Sequence, residues 1–274
     1  MKARFWSAFT FLLAFAAQGV CAQSFPEGDV FRPLVADPIE PRFFFSVVQM
    51  DVGDQNVTVA PVGAGVNFGL YRWPGERAGD GWQLGIFGAV ASQFNLDSSS
   101  DDLINTDFRV GIPLSYRRGA FSGRARVFHQ SSHLGDEFLL EGPDTPRVNL
   151  SVEIFDLVLA WEHAGWRPYA GFAYVFRRDP DDLKKTGFQL GVDYVGTKQI
   201  LFGGRLVGGV DYRPMEETDW RGGLSAKVGL EFGRPSPNRR GVTALLEYFD
   251  GSAPFGQFYH DTVTYYGASL QFDF

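Results

Sequence analysis

Apolar and polar residues alternate with a period of two in segment after segment from Arg42 to the end of the chain. Such alternation gives each β-strand one apolar and one polar face. The last segment is the clearest example, with an apolar face formed by Tyr266, Ala268, Leu270, Phe272 and Phe274. After residue 22 no continuous apolar run reaches the roughly twenty residues that a membrane-crossing helix needs. The chain is therefore predicted to be all-β, and it can cross a membrane only as a closed barrel.

Three features favour a transmembrane barrel over a soluble β-sandwich. Apolar faces begin and end in aromatic residues, as at Trp82 and Phe94 or Trp220 and Phe232, which is typical of the two membrane interfaces. The opposite faces are rich in Gly and in charges of both signs. The terminal Phe274, preceded by apolar residues at every second position, resembles the C-terminal strand signal read by the barrel-assembly machinery of Gram-negative bacteria.

The alternation divides residues 42–274 into about twelve antiparallel strands of an up-and-down barrel. The predicted strands are 42–51, 57–73, 81–95, 104–117, 120–132, 148–162, 166–178, 185–196, 200–213, 219–233, 240–250 and 261–274. Each has at least the nine to eleven residues that a tilted strand needs, and the count is even. Short and long connections alternate, which predicts that both termini are periplasmic. Ten strands is the alternative, because 42–51 is apolar without clean alternation.

The N-terminus has the pattern of a cleaved secretory signal. Lys2 and Arg4 precede an apolar run at 5–17, and Ala22 offers a cleavage site, so residues 1–22 are predicted to be a signal peptide. Residues 23–41 carry prolines without alternation and are predicted to be an extended periplasmic segment before the barrel.

Composition excludes several classes of function. The chain's one cysteine, Cys21, lies in the predicted signal peptide. A cysteine nucleophile, a thiolate zinc site and a disulfide framework are therefore excluded for residues 23–274. The formal net charge of −7 argues against nucleic acid as a partner.

Charged residues are predicted to face the barrel lumen. The inward parity places Arg109, Arg124, Arg126 and Arg177 there, together with Asp107 and Asp193 among the acids. They are interpreted either as a pore lining that selects solutes or as a salt-bridged interior that closes a small barrel. Strand 148–162 changes parity, and a β-bulge near Phe155–Asp156 is predicted to turn Asp156 inward and keep Leu150 and Val152 on the lipid face.

One short segment carries residues with catalytic potential. His129 and Ser131 share the lipid-facing parity of their strand, near its predicted outer end. A serine becomes a nucleophile only beside a base, and the base needs a third group to fix its tautomer. The His-Gln-Ser step resembles that of outer-membrane phospholipase A and, more loosely, of lipid A deacylases, although Ser132-His133 follows here where the phospholipase has Asn-Gly.

The resemblance to the phospholipase implies that Ser131 is the nucleophile and His129 the base. The phospholipase has its orienting asparagine on the next strand, and the nearest analogue is Asn149, whose parity is predicted to turn it inward. Glu141 and Glu153 are further possible orienting groups. His133, Asp136 and Glu137 could ligate a cation such as Ca²⁺ through oxygen ligands, or could simply hold the turn at Gly135.

A second resemblance covers more of the chain. Segments 31–38, 40–43 and 131–137 resemble a proteobacterial outer-membrane barrel family of the domain-of-unknown-function 1207 type. That resemblance implies an outer-membrane barrel and supplies no activity. The leading hypothesis is therefore a non-enzymatic barrel, either structural, a narrow pore or an envelope-interaction protein. The alternative is a serine-type lipid hydrolase. Outer-membrane lipids and lipopolysaccharide are the expected partners, besides the assembly machinery.

Overall fold

The computed structural model describes residues 22–141, 149–233 and 241–273, so all of the predicted signal peptide except Ala22 lies outside the described residues. The described residues form thirteen strands and a short helix α1 (Asp136–Glu141). The strands are β1 (Gln23–Ser24), β2 (Phe43–Val52), β3 (Gln55–Pro74), β4 (Gly81–Asn95), β5 (Asp102–Arg118), β6 (Phe121–Leu134), β7 (Leu150–Trp161), β8 (Trp166–Asp179), β9 (Thr186–Gln199), β10 (Arg205–Pro214), β11 (Gly222–Phe232), β12 (Gly241–Ser252) and β13 (Thr262–Asp273). No helix in these ranges is long and apolar enough to cross a membrane.

Strands β2 to β13 form one closed antiparallel barrel. Each strand pairs with its neighbours in sequence, and β13 pairs with β2 from Val263↔Val52 to Phe272↔Phe43. The prediction of twelve barrel strands is therefore confirmed, and the alternative of ten is wrong. The two-residue β1 is an addition that pairs with Tyr71 and Arg72 of β3, beyond the start of β2.

Most connections alternate in length as predicted, with two exceptions, the short 53–54 and the long 75–80. One end of the barrel, called the short-turn end below, carries connections such as 119–120 and 162–165. The start of β2 and the end of β13 also lie there. The other, the long-loop end, carries 135–149 and 253–261.

The outward face of the barrel is apolar. Side chains such as Val110, Ile112 and Leu246 are more than half exposed. Aromatic pairs border this band near the short-turn end, with ring centroids 4.5 Å apart for Trp82 and Tyr116. An apolar band edged by aromatic residues suits a lipid surrounding.

Residues 25–42, named the lumen segment here, lead into the barrel: Phe25 and Glu27 are exposed at its short-turn end, and from Asp29 on the segment lies inside. The sequence predicted only an extended segment before the barrel. Glu40 forms a bidentate pair with Arg124, and its second oxygen lies 4.0 Å from Arg126. Asp37 pairs with Arg213 of β10, and the Arg167 guanidinium of β8 donates to two carbonyl groups of the segment. These partners come from strands around the barrel wall. Buried guanidinium groups need such anions and carbonyl acceptors, and the sequence pattern of the segment did not reveal them.

The connection 253–261 fills the lumen near the long-loop end. Phe255 and Phe258 pack against an apolar cluster that includes Val48, Met50 and Tyr265 on the inner wall. A cavity of about 30 Å³ remains between Ile39 of the lumen segment and Phe255, which is enough for ordered water and too small for a solute path. The lumen is therefore a packed and salt-bridged interior.

Candidate functional site

The lipid-facing parity of His129 and Ser131 agrees with the structure. Along β6 the inward residues Arg124, Arg126 and Phe128 are buried, whereas His129 and Ser131 lie on the other face and are partly exposed. On one face of a strand, residues two apart are separated by roughly 6.6 Å. An imidazole and a hydroxyl are therefore neighbours on the outer wall.

A carboxylate on the next strand meets the imidazole. His129 is the Cα partner of Glu153 on β7, and Nδ1 of His129 lies 3.4 Å from Oε1 of Glu153. The Glu153 side chain is 25% exposed and that of His129 38% exposed, so the contact is partly shielded from solvent. A partner on Nδ1 leaves Nε2 as the ring nitrogen that can exchange a proton with a neighbouring hydroxyl.

Glu153 faces outward because β7 alternates without a break, contrary to the predicted bulge near Phe155–Asp156. Leu150 and Val152 point into the lumen, where they form a buried cluster with Leu183. Asp156 is turned inward by the same regular alternation and pairs with Arg126. The prediction that Leu150 and Val152 face lipid is therefore wrong, because the lumen at this height is itself apolar.

The irregularity lies one strand further, in β8. Glu153 pairs with Arg177 while Ile154 pairs with Val175, so Phe176 is the extra residue of a β-bulge. The bulge turns Arg177 to the outside, and its predicted place in the lumen is wrong. Its guanidinium lies 3.7 Å from Oε1 of Glu153, with 80% of the side chain exposed. Sequence reasoning placed Arg177 in the lumen, and it offered Glu153 only as one of several possible orienting groups.

The neighbouring serines have different surroundings. Ser131 pairs across the strands with Phe108 and Ser151. Ser132 faces the lumen, is 1% exposed and donates to Asp107. Of the two consecutive serines, only Ser131 can meet a molecule in the surrounding lipid.

The other predicted site residues do not join this group. Asn149 is exposed and donates to Asp179 at 2.7 Å, so its predicted inward orientation is wrong and its amide is engaged away from His129. Glu141 ends α1, and its side chain lies outside the described residues. The ring of His133 packs on Phe108.

The cation site proposed for His133, Asp136 and Glu137 stays a prediction. In the described ranges no group of three or more His, Cys, Asp or Glu side chains is placed to hold a metal ion. Asp136 and Glu137 begin α1 and are exposed.

The fold defines the class of protein: a twelve-stranded barrel with an apolar outer band, as in outer-membrane proteins. A family model described as "Protein of unknown function (DUF1207)" matches residues 8–274. The chain belongs to that family. No curated protein matches the sequence.

Solved structures of similar fold include two of outer membrane phospholipase A. An active-site mutant of the Escherichia coli enzyme is 15% identical, with a TM-score of 0.57, and the match covers 90% of this chain and 94% of that one. The calcium-bound dimer of the Salmonella typhi enzyme is 14% identical, with a TM-score of 0.55, and the match covers 86% and 93%. At these identities the likeness shows the fold alone.

Proposed function

We propose that this protein is a serine hydrolase of the outer membrane that cleaves acyl esters of lipids in the surrounding leaflet. Ser131 is the nucleophile, His129 the general base and Glu153 the group that orients the imidazole. The observation that carries the proposal is the contact of His129 with Glu153 on the outer wall, beside Ser131. A histidine held at Nδ1 by a carboxylate is the arrangement that activates a serine.

Each of the three residues has one role in the reaction. Ser131 Oγ attacks the ester carbonyl carbon and gives its proton to Nε2 of His129. Glu153 accepts a hydrogen bond from Nδ1–H and stabilises the imidazolium. The bond from the carbonyl carbon to the alcohol oxygen then breaks, and the imidazolium returns the proton to that oxygen. Water repeats the sequence on the acyl-enzyme, releasing a fatty acid and restoring Ser131.

The position of the site favours a lipid substrate. Val127 precedes His129 by two residues on the same face of β6 and is exposed. Val110, which pairs with His129 from β5, is exposed as well. On β7 the outward residues from Phe155 to Trp161 are apolar up to the short-turn end, a length of roughly 20 Å. The site therefore lies where the apolar band ends, at the height where an ester joins an acyl chain to its headgroup.

The filled lumen favours this hypothesis over the narrow pore. The lumen segment and residues 253–261 occupy the interior, so a substrate has to approach from the lipid side. The proposal places the long-loop end outside the cell and both termini in the periplasm. It makes membrane lipids and lipopolysaccharide the molecules that meet the site. It leaves Ca²⁺ as a component to be tested, since the similar phospholipase structure carries calcium.

The test is fatty-acid release by protein refolded in detergent micelles, with phospholipid or lipid A as substrate and with or without Ca²⁺. We expect release by the parent protein and loss of at least about a hundredfold in Ser131→Ala. Ser151→Ala is the matched control, because Ser151 faces the same way on the paired strand. Heat-modifiable gel migration verifies that each barrel is folded. Equal rates in the parent and Ser131→Ala, or none in a folded parent, would refute the proposal.

A further inference from the structure

The outer wall carries Arg177 next to the proposed catalytic residues and a second cation, Lys185, one strand further on. Arg177 is exposed and approaches Glu153 with one nitrogen. A guanidinium has five N–H donors, so most of them are not used by Glu153. Lys185 lies beside it: its carbonyl accepts from the Val175 backbone at 2.8 Å, and its Nζ lies 5.9 Å from the centre of the Tyr174 ring. Both cations lie near the height at which the apolar band ends.

The acids nearest Arg177 already have partners, whereas Lys185 is flanked by two carboxylates: Glu217 accepts from the Lys184 backbone and Glu216 from that of Thr186. Glu153 is shared between Arg177 and His129, and Asp179 accepts from Asn149. The next residue, Arg178, differs from Arg177 because its Nε donates to the Asp181 carbonyl at 2.6 Å. It therefore has a partner within its own hairpin.

The spacing fits a phosphate-bearing lipid. Arg177 is in register with His129, two strands away, which is roughly 10 Å between backbones, and Ser131 lies two residues further along β6. The arginine side chain can shorten that distance toward the serine. In a phospholipid the ester carbonyl and the phosphate are only a few bonds apart. Arginine presents a planar fork that matches two phosphate oxygens.

We infer that Arg177 binds the phosphate of the lipid whose acyl ester Ser131 attacks. The substrate class is then acyl lipids that carry a phosphate near the ester, in preference to neutral glycerides. This inference rests on the proposed hydrolase. In that enzyme Arg177 determines substrate specificity, and Glu153 is its counter-ion when no lipid is bound.

The kinetic test compares phosphatidylglycerol with phosphate-free diacylglycerol in the same neutral micelles. Loss of a hydrogen bond to a charged group predicts that Arg177→Met lowers phosphatidylglycerol hydrolysis by roughly tenfold to a hundredfold. The rate on phosphatidylglycerol relative to that on diacylglycerol should fall by the same factor, and Arg177→Lys should retain part of the preference. Arg178→Met is the matched control. An equal loss on both lipids would mean that Arg177 acts only through Glu153, and it would overturn the inference, as would an unchanged preference.

A binding measurement separates this inference from the hydrolase itself. Fluorescent phosphatidylglycerol is titrated into the Ser131→Ala protein and into the same protein with Arg177→Met, and is competed with unlabelled phosphatidylglycerol, diacylglycerol or inorganic phosphate. We expect Arg177→Met to weaken binding by at least roughly tenfold, with competition by phosphatidylglycerol only. Equal affinities would refute the phosphate site even if hydrolysis occurs. Competition by inorganic phosphate alone would identify a simple anion site and not a lipid site.

Discussion

The Glu40 carboxylate is the most informative single group in the lumen segment. Glu40→Gln removes one charge from a pair in which the Glu40 side chain is 0% exposed and that of Arg124 1% exposed. Arg126 keeps Asp156, whereas Arg124 loses the one carboxylate that contacts it among the described residues. It retains the Phe31 ring, 4.8 Å away, and Asp29 as a more distant acid. Breaking a buried ion pair from one side costs about 3–5 kcal/mol, because the remaining charge is left without a counter-ion. A shift of that size changes the unfolding equilibrium by roughly two to four orders of magnitude.

The assay is urea unfolding of the refolded barrel in lipid micelles, followed by tryptophan fluorescence and by heat-modifiable migration. Glu27→Gln is the matched control, since Glu27 is exposed in the same segment. The double variant Glu40→Leu with Arg124→Met removes both charges and should be less destabilised than Glu40→Gln alone. If Glu40→Gln stays within about 0.5 kcal/mol of the parent, as surface substitutions usually do, then the pair does not fix the segment inside the barrel and the reasoning fails.

Three further outcomes are expected. Burial raises the pKa of Asp29, near Gln83 at the short-turn end, to about 6. The stability that the neutral carboxyl contributes is therefore fully present below its ordinary pKa of 3.8 and is lost as pH rises through 6. The Tm of the parent should fall relative to Asp29→Asn between about pH 4 and pH 7, and parallel Tm profiles would contradict this. Glu153→Ala should lower kcat by roughly a hundredfold or more and Glu153→Asp by less, as measured by fatty-acid release; unchanged kcat in Glu153→Ala would exclude an orienting role. In planar bilayers the folded parent should give no sustained conductance because its lumen is filled, and regular porin-like steps would show that the interior opens.

Much of the barrel could be predicted because a lipid-facing surface imposes a strict period of two on the sequence. The predicted and observed limits of strand 81–95 are identical. Along β6 the outward places of His129 and Ser131 follow directly from the alternation. Where both faces of a strand are apolar, the rule fails. Val152 packs inward on Leu183, and nothing in the local pattern distinguishes that cluster from lipid contact.

The same ambiguity kept the contact between His129 and Glu153 from being predicted. Once Val152 is inward, Glu153 is necessarily outward beside His129. The outward position of Arg177 depends on a bulge at Phe176, which shifts the inward and outward alternation of β8. No Gly or Pro at that point of the sequence indicates the bulge. The lumen segment could not be predicted from period or propensity, since long-range ion pairs such as that of Glu40 with Arg124 hold it in place.

The nucleophile can be tested directly by covalent labelling with a long-chain fluorophosphonate in micelles, followed by mass spectrometry. Trypsin releases residues 127–147, a peptide whose serines are Ser131 and Ser132, and the buried Ser132 serves as an internal control. We expect the label on Ser131 in the folded protein, with labelling lost in His129→Ala and after heat unfolding. A folded barrel in which Ser131 stays unlabelled, or in which His129→Ala labels at the same rate, would contradict the assignment of a serine hydrolase.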